Sequence, residues 1–537
     1  MRSLATLLTI IASSAFAQGF CLDPSFADGG VFVLDVGGVD NVAWSAQGLD
    51  LQPDGRIVVG GTVVGAADGR LIAVRLSTSG ALDLSFGDGG IVELVVGAPN
   101  AQLETIRVQP DGTLVLAGEA DDPLLDGGDR SLVVVARLTA AGALDSTFGG
   151  GVLLPRYLPH PEIVNGQVPL SMGRVLLGGQ GRTRGGDYNL FTLALLRDGG
   201  LDTSYGDGGI SEIDFGGGDE FGGAIAQDAL GRVLLPATTY RGTQFDFGLA
   251  RLSSNGTLDP SFGVAPLTGR LVADFFGRDD ACTVILEQPD GRVLCGGSVT
   301  LGDGGSSVAI LRTLANGQVD LTFGPGGHTL QDGARWTLRA LAVLGDGTII
   351  GGGAAPTDRP DTDLTLGFLD STGIYLPERG LFHLDIAGGD DGVRTLKVDA
   401  QGRLVVFGAA SRGGQTDLLV ARLSRCAAGP DAGTPDAGTP DAGTPDAGTP
   451  DAGTPDAGTP DAGTPDAGMP DSGTPDSGTL DAGTPDSGTP DAGTPDAGTQ
   501  RELRVGCGCN ADPSWSLLAA FFVVAFRRSR SRSRSAA

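Results

Sequence analysis

Residues 22–30 read LDPSFADGG, and the phrase returns as LDLSFGDGG from Leu82, LDSTFGGG from Leu144, LDTSYGDGG from Leu201, LDPSFG from Leu258 and VDLTFGPGG from Val319. A second phrase, clearest as QPDGR at 52–56, places turn glycines at Gly55, Gly112, Gly173, Gly231, Gly291, Gly347 and Gly402. The units number seven, because GIYLPERG at 373–380 stands at the right distance as a decayed copy of the first phrase. Self-similarity at about sixty residues marks a repeat architecture in which each unit buries its apolar face on the next. In the first unit, alternation and turn chemistry put strands at 31–35, 48–52, 56–60 and 71–76. Between the middle two, Pro53 presets φ, Asp54 bonds back to the backbone and Gly55 takes positive φ, as a type I hairpin turn asks. Four antiparallel strands repeated seven times, with no helical stretch, predict an all-β, seven-bladed β-propeller over 18–426. A β-solenoid competes, but units of this length with hairpin turns are long for one coil. Gly60-Gly61 and Gly296-Gly297 are expected to let neighbouring blades approach closely.

The rest of the composition mainly excludes. Among 537 residues there are 3 His, 6 Cys and a single lysine, Lys397, so His relays, His-rich metal sites and lysine Schiff bases have little to work with. The formal charge of −29 argues against nucleic acid, whose binding runs on clustered Arg and Lys. Fourteen Asp in the linker, against +5 in the C-terminal tail and +1 at Arg2, leave −21 on the folded part.

The two ends read as addresses. Arg2, the apolar stretch 4–16 and Ala15-Phe16-Ala17 form an export signal at 1–17, cleaved after Ala17. Residues 427–500 hold fourteen copies of a five-residue unit, mostly PDAGT, with too little apolar surface to offset ordering entropy; a disordered stalk is expected. In the tail, 501–537, Cys507 and Cys509 precede an apolar run at 515–526 and a terminal Arg cluster. That run is shorter than the roughly 20 residues a spanning helix needs.

The LDxSFGxxG and QPDGR phrases resemble the delta-60 repeat of bacterial surface and secreted proteins, over 22–425, with the third unit (LSMGR at 170–174) and the seventh as the weakest copies. The tail resembles the MYXO-CTERM sorting signal of myxobacterial surface proteins. The first resemblance implies propeller blades and no particular chemistry. The second implies contact with the membrane through the tail, cutting by a dedicated tail-processing protease, delivery to the cell surface or outer membrane, and Cys507 or Cys509 as the lipidated anchor.

Cys21 stands just before the first repeat and Cys426 just after the last, so a closed ring brings them together as a disulfide in an oxidising compartment, stabilising by roughly 4 to 5 kcal/mol. Cys282 and Cys295 flank one hairpin without lying opposite each other; pairing and an apolar core position for Cys295 both stay open. Acidic or amide residues recur before one strand of most units: Asp40-Asn41, Asn100, Asp219-Glu220, Asp279-Asp280, Asp332 and Asp390-Asp391. Such oxygens close Asx turns, and copying a blade copies its turns; a ring of them on one face also suits Ca²⁺ or a cationic ligand, or supplies a carboxylate pair for glycoside chemistry. Arg75, Arg137, Arg251 and Arg312 each precede an Asp by eight residues (Asp83, Asp145, Asp259, Asp320), which suggests an ion pair or backbone tie at each blade junction. The aromatic series Phe26, Phe86, Phe148, Tyr205, Phe262 and Phe323 is expected in inter-blade core. The leading expectation is a surface-displayed, non-catalytic adhesion or ligand-binding module for an extracellular polysaccharide or protein. The alternative is an extracellular polysaccharide-acting enzyme using a pair such as Asp279 and Asp390.

Overall fold

The computed structural model describes residues 19–426, apart from 36–40, 43–46, 65–68, 123, 125–130, 156–161, 184–185, 217, 303–304, 332–335, 357–360, 377–380 and 387. The expected export signal with Ala17, the repeat linker, the tail with Cys507 and Cys509, and Asp40 and Asp332 therefore lie outside the described residues.

Seven antiparallel sheets follow one another along the chain. From the axis outward, blade 1 is Leu49–Leu51, Ile57–Val63, Arg70–Leu76 and Ile91–Val95, with Asn41–Val42 also on its second strand. Blade 2 is Gln102–Val108, Leu114–Asp121, Ser131–Leu138 and Val152–Leu153; blade 3 is Glu162–Pro169, Val175–Arg182, Tyr188–Leu195 and Ile210–Ile213. Blade 4 is Glu220–Gly222 with Ala226–Gln227, then Val233–Tyr240, Phe245–Leu252 and Arg270–Ala273. Blade 5 is Asp280–Glu287, Val293–Thr300, Ser306–Thr313 and His328–Gln331; blade 6 is Thr337–Val343, Ile349–Pro356, Thr362–Leu369 and Leu381–Leu384. Each blade's first strand packs on the first strand of the next, and Asp391–Val398 of blade 7 packs back on Leu49–Leu51 of blade 1, so the cycle closes.

Blade 7 is a composite. Asp391–Val398, Leu404–Arg412 and Gln415–Arg425 come from the end of the chain, and the outer positions are filled from its beginning by Val31–Leu34 and Phe20–Leu22. This corrects the strand grouping read from sequence. The strand after each LDxSF phrase, 31–34 in the first copy, is the outer strand of the preceding blade, so the sequence repeat runs one strand out of step with the blade. The offset pairs the start of the chain with its last strand, so backbone hydrogen bonds join the two ends across the seam. Cys21 and Cys426 are disulfide-bonded with Cα atoms 5.0 Å apart, at the same seam. Cys282 and Cys295 are also joined, although Cys282 faces Gly297 in the ladder.

Both faces of a blade are covered, which is why second and third strands are continuous apolar runs. In IVVGGTV, Val58 points with Leu71 and Ala73 into a core shared with Leu103 and Ile106 of blade 2, whereas Ile57 and Val59 join Phe407 and Leu418 of blade 7. Each such side chain contributes about 1.5–3 kcal/mol on full burial. The close approach expected at Gly60 and Gly61 is present: a Cβ there would meet Leu103 at 2.3 Å and Leu418 at 2.8 Å. At 296–297 the two glycines divide the work. Gly296 admits Leu338 of blade 6 (2.6 Å), but a Cβ on Gly297 would lie 1.8 Å from the Ala281 carbonyl oxygen of its own blade.

Among the described residues the arginine ties appear five times. Arg75, Arg137, Arg251 and Arg312 each direct Nε to the expected Asp at 2.8 Å, and Nη1 to a carbonyl in the next blade, at Ala140, Arg197, Ala315 and Ser371. The fifth is Arg422, bound to Asp23 at 2.8 Å and to the Thr78 carbonyl; it joins the last blade to the start of the chain. All five guanidinium groups lie 4.4–4.7 Å from the centroid of the phrase's Phe. The aromatic series fills core as expected, each ring 0–1% exposed.

Candidate functional site

Antiparallel order sends the PDG hairpins and the arginine ties to one face of the ring, and the starts of the first and third strands to the other. The acidic pairs collect on this second face, at blade junctions. Within each pair the two acids have different jobs. Asp219, Asp279 and Asp390 accept the N–H of Tyr188, Phe245 and Thr362 at 2.9, 3.0 and 2.9 Å. Each acceptor reaches back to the third strand of the preceding blade, so these carboxylates are inter-blade ties rather than local Asx turns.

The second acids are buried: Glu220, Asp280 and Asp391 are 0, 1 and 2% exposed. Asp280 Oδ2 accepts the Phe275 N–H at 2.6 Å, and Asp391 Oδ2 accepts the equivalent Ile386 N–H at 2.5 Å. Burial, opposed by the Phe275 hydrogen bond and reinforced by the charges of Asp274, Asp246 and Asp279, pushes Asp280 up to about 9. Burial first, with Asp385 and Asp363 adding repulsion, pushes Asp391 up to about 8, and burial with Asp214 does the same for Glu220, to about 8. Asp246, Asp274 and Asp280 form a close group, one carboxylate oxygen of each lying within 4.8 Å of the others. Asn100, the amide member of the series, bonds Asp121 at 2.9 Å.

Beside these acids lies an aromatic chain. Tyr188 opens the third strand of blade 3 and Phe245 that of blade 4, whereas Arg70, Ser131, Ser306 and Thr362 hold this place in blades 1, 2, 5 and 6. Phe221 bridges the two, with ring centroids 6.1 Å from Tyr188 and 5.8 Å from Phe245, and Tyr240 follows 5.1 Å from Phe245. All four rings are half-buried. The sequence reading passed over them because it searched for what recurs; the available signal was the opposite one, aromatic residues where other copies carry polar ones.

The axis is crossed by side chains. Gln47 of blade 1 donates to the Ile225 carbonyl of blade 4 at 2.7 Å, accepts the Gln167 N–H of blade 3 at 3.1 Å and accepts the Ile106 N–H of blade 2 on its own carbonyl at 3.0 Å, so one residue joins four blades. Lys397 of blade 7 and Arg107 of blade 2 each stand 3.6 Å from Asp50, and Arg107's charge, then burial, pulls Lys397 down to about 8. On the opposite face a shallow cleft of about 460 Å³ includes Arg137, Met172, Arg174 and Arg197 in its lining. Arg174 there pairs with Asp202 at 2.6 Å, as Arg56 and Arg292 of the same phrase pair with Asp83 and Asp320 at 3.0 Å, while Ala194 stands where five other blades carry the tying arginine.

A family model described as a β-propeller domain of unknown function, DUF5122, matches residues 52–86, 109–148, 231–262 and 288–323. Those segments hold the QPDGR and LDxSF phrases. No curated protein matches the sequence. Among solved structures, Drosophila Semaphorin 2a is similar at TM-score 0.39 and 9% identity, over 74% of this chain and 75% of that one. The extracellular domains 1–2 of Drosophila Semaphorin 1b give 0.37 and 11% over 73% and 86%, and the NanB sialidase of Streptococcus pneumoniae gives 0.35 and 10% over 75% and 70%. No ligand or activity is taken from likenesses at this level.

Proposed function

We propose that this chain is an exported, surface-displayed, non-catalytic β-propeller that binds extracellular polysaccharide on the face of blades 3 and 4. The aromatic chain Tyr188–Phe221–Phe245–Tyr240 carries the reading. Half-buried rings offer apolar stacking area on a preorganised base, and the flanking carboxylates and main chain offer polar partners, the mixture a sugar surface asks for. Display on a stalk rests on the export signal, the PDAGT linker and the sorting tail read from sequence. The hydrolytic alternative finds less support, since Asp279 and Asp390 each hold a main-chain N–H and belong to different blade junctions.

Affinity electrophoresis of the purified protein through gels containing a panel of bacterial and plant polysaccharides tests the reading. Retardation by at least one polysaccharide is expected, with no release of reducing sugar. Phe221→Ala and Phe245→Ala are each expected to weaken binding about 5- to 10-fold, near 1 kcal/mol per ring. Turnover abolished by Asp279→Asn would instead establish the enzyme. Antibody labelling of intact cells checks display.

A further inference from the structure

We propose that Asp246, Asp274 and Asp280 form a calcium site at the junction of blades 4 and 5. Asp280 opens the first strand of blade 5, Asp246 is the second residue of the third strand of blade 4, and Asp274 follows that blade's outer strand. One oxygen from each falls within 4.8 Å of the others, a span that a single Ca²⁺ covers with ligands at about 2.3–2.6 Å on either side.

The oxygens are sorted. Each carboxylate gives one of them to a hydrogen-bond donor: Asp280 Oδ2 to the Phe275 N–H at 2.6 Å, Asp274 Oδ1 to the Gly277 N–H at 2.7 Å, and Asp246 Oδ1 to the Gln244 amide at 2.8 Å. These outer contacts orient the acids and leave one oxygen on each for an ion, as second-shell bonds do in metal sites. The independent sign of a missing partner is Asp280 itself. It is 1% exposed, and its Oδ1 is buried with no hydrogen-bond partner. A buried carboxylate oxygen without a donor is costly, more so among like charges. The positive charge of Arg241 acts on Asp246, but its Nη1 is held by the Phe215 carbonyl at 2.9 Å.

Donor chemistry selects the metal. An all-oxygen, three-carboxylate set without His or Cys suits a hard cation. Asp274 is half-buried, which leaves room for water to complete the six to eight ligands calcium takes. Mg²⁺ dehydrates reluctantly and is usually held by one or two carboxylates with several of its own waters, rather than by three acids. Asn189, Asp214 and Glu220 hold the equivalent positions at the junction of blades 3 and 4; at that of blades 6 and 7, Asp363, Asp385 and Asp391 repeat the three acids, but there the oxygen matching the unpartnered one, Asp391 Oδ1, accepts the Ser411 N–H at 3.2 Å.

The site stands whether or not a polysaccharide binds, and its test needs none. The full-length protein, stripped with chelator, is titrated calorimetrically with CaCl₂ and separately with MgCl₂, and its melting is followed with and without calcium. One saturable calcium event in the micromolar range is expected, together with a raised Tm and at least tenfold weaker magnesium binding. Asp280→Asn, which keeps shape and removes charge, is expected to cut calcium affinity at least tenfold and abolish the Tm rise. Asp88→Asn, in a turn on the opposite face, is expected to change neither, and its unchanged melt serves as the folding control. Absence of saturable calcium binding up to millimolar levels, tighter binding of magnesium, or undiminished calcium affinity in Asp280→Asn would each overturn the proposal.

Discussion

Arg422 shows what a single side chain does here. It is 2% exposed, yet every part is used: Nε on Asp23, Nη1 on the Thr78 carbonyl, Nη2 on the Ser25 hydroxyl and its plane against Phe26. Removing one partner of such a buried pair strands the other, so Arg422→Ala is expected to destabilise by about 3 kcal/mol. Arg56→Ala, at a side chain 42% exposed, is expected to cost less than about 1 kcal/mol; denaturant melts of both variants compare them. The ties also set an acid limit. The Ser85 hydroxyl, then, against burial, the Ser85 N–H and Arg75, hold Asp83 below its ordinary 3.8, and Thr147 with Arg137 does likewise for Asp145. A carboxyl whose folded value lies below its unfolded value contributes fully above the unfolded value and loses that contribution as pH falls through the folded one. Tm is therefore expected to drop steeply below about pH 4, and the drop is expected to be shallower in Arg422→Ala, where the tie between Asp23 and the last blade is already gone.

At the scale of the strand, the inner edges of the blades share an irregularity. The ladder slips between Leu103 and Thr105, Val164 and Gly166, Cys282 and Val284, Leu338 and Ala340, and Val393 and Thr395. Opposite the start of each bulge stands a glycine: Gly118, Gly179, Gly297, Gly353 and Gly408. A Cβ on Gly353 would sit 1.5 Å from the Thr337 carbonyl oxygen, a backbone atom fixed by its own strand. Gly353→Ala is accordingly expected to destabilise by about 3 kcal/mol, measurable as a lowered denaturation midpoint, whereas Gly388→Ala, with nothing within 4 Å, is expected to cost less despite its positive φ. These bulges explain part of what sequence reading resolved poorly. QPDGR turns and the strands around them were legible because Pro, Asp and Gly each have a local reason to be there. The inner strand of the first unit, read at 48–52, is present as Leu49–Leu51, but the bulged inner strands are harder to read, since a bulge breaks alternation and inserts charged residues such as Glu104 and Arg394. The candidate site was legible in half: pattern located the acidic pairs, but only geometry separated the tying Asp219, Asp279 and Asp390 from the buried Glu220, Asp280 and Asp391, and brought in Asp246 from the preceding blade's third strand and Asp274 from just beyond its outer strand.

For the whole molecule, the decisive feature is that the chain's start completes its last blade. Val31 faces Ala421 and Leu34 faces Leu418, Phe20 faces Arg425, and Arg422 reaches Asp23 across 399 residues. That fifth tie escaped the search for an Arg eight residues before an Asp because the order of the two is reversed at the seam. Ring closure makes each blade an interior one with both apolar faces covered, and it places the aromatic chain and the acids of neighbouring blades on one shared surface. The covalent record of this closure is the bond between Cys21 and Cys426. Peptide mapping of the non-reduced, alkylated protein by mass spectrometry reads it directly. Ring closure predicts one linked peptide pair containing Cys21 and Cys426; Cys21 recovered alkylated, or bridged to Cys282 or Cys295, would contradict it.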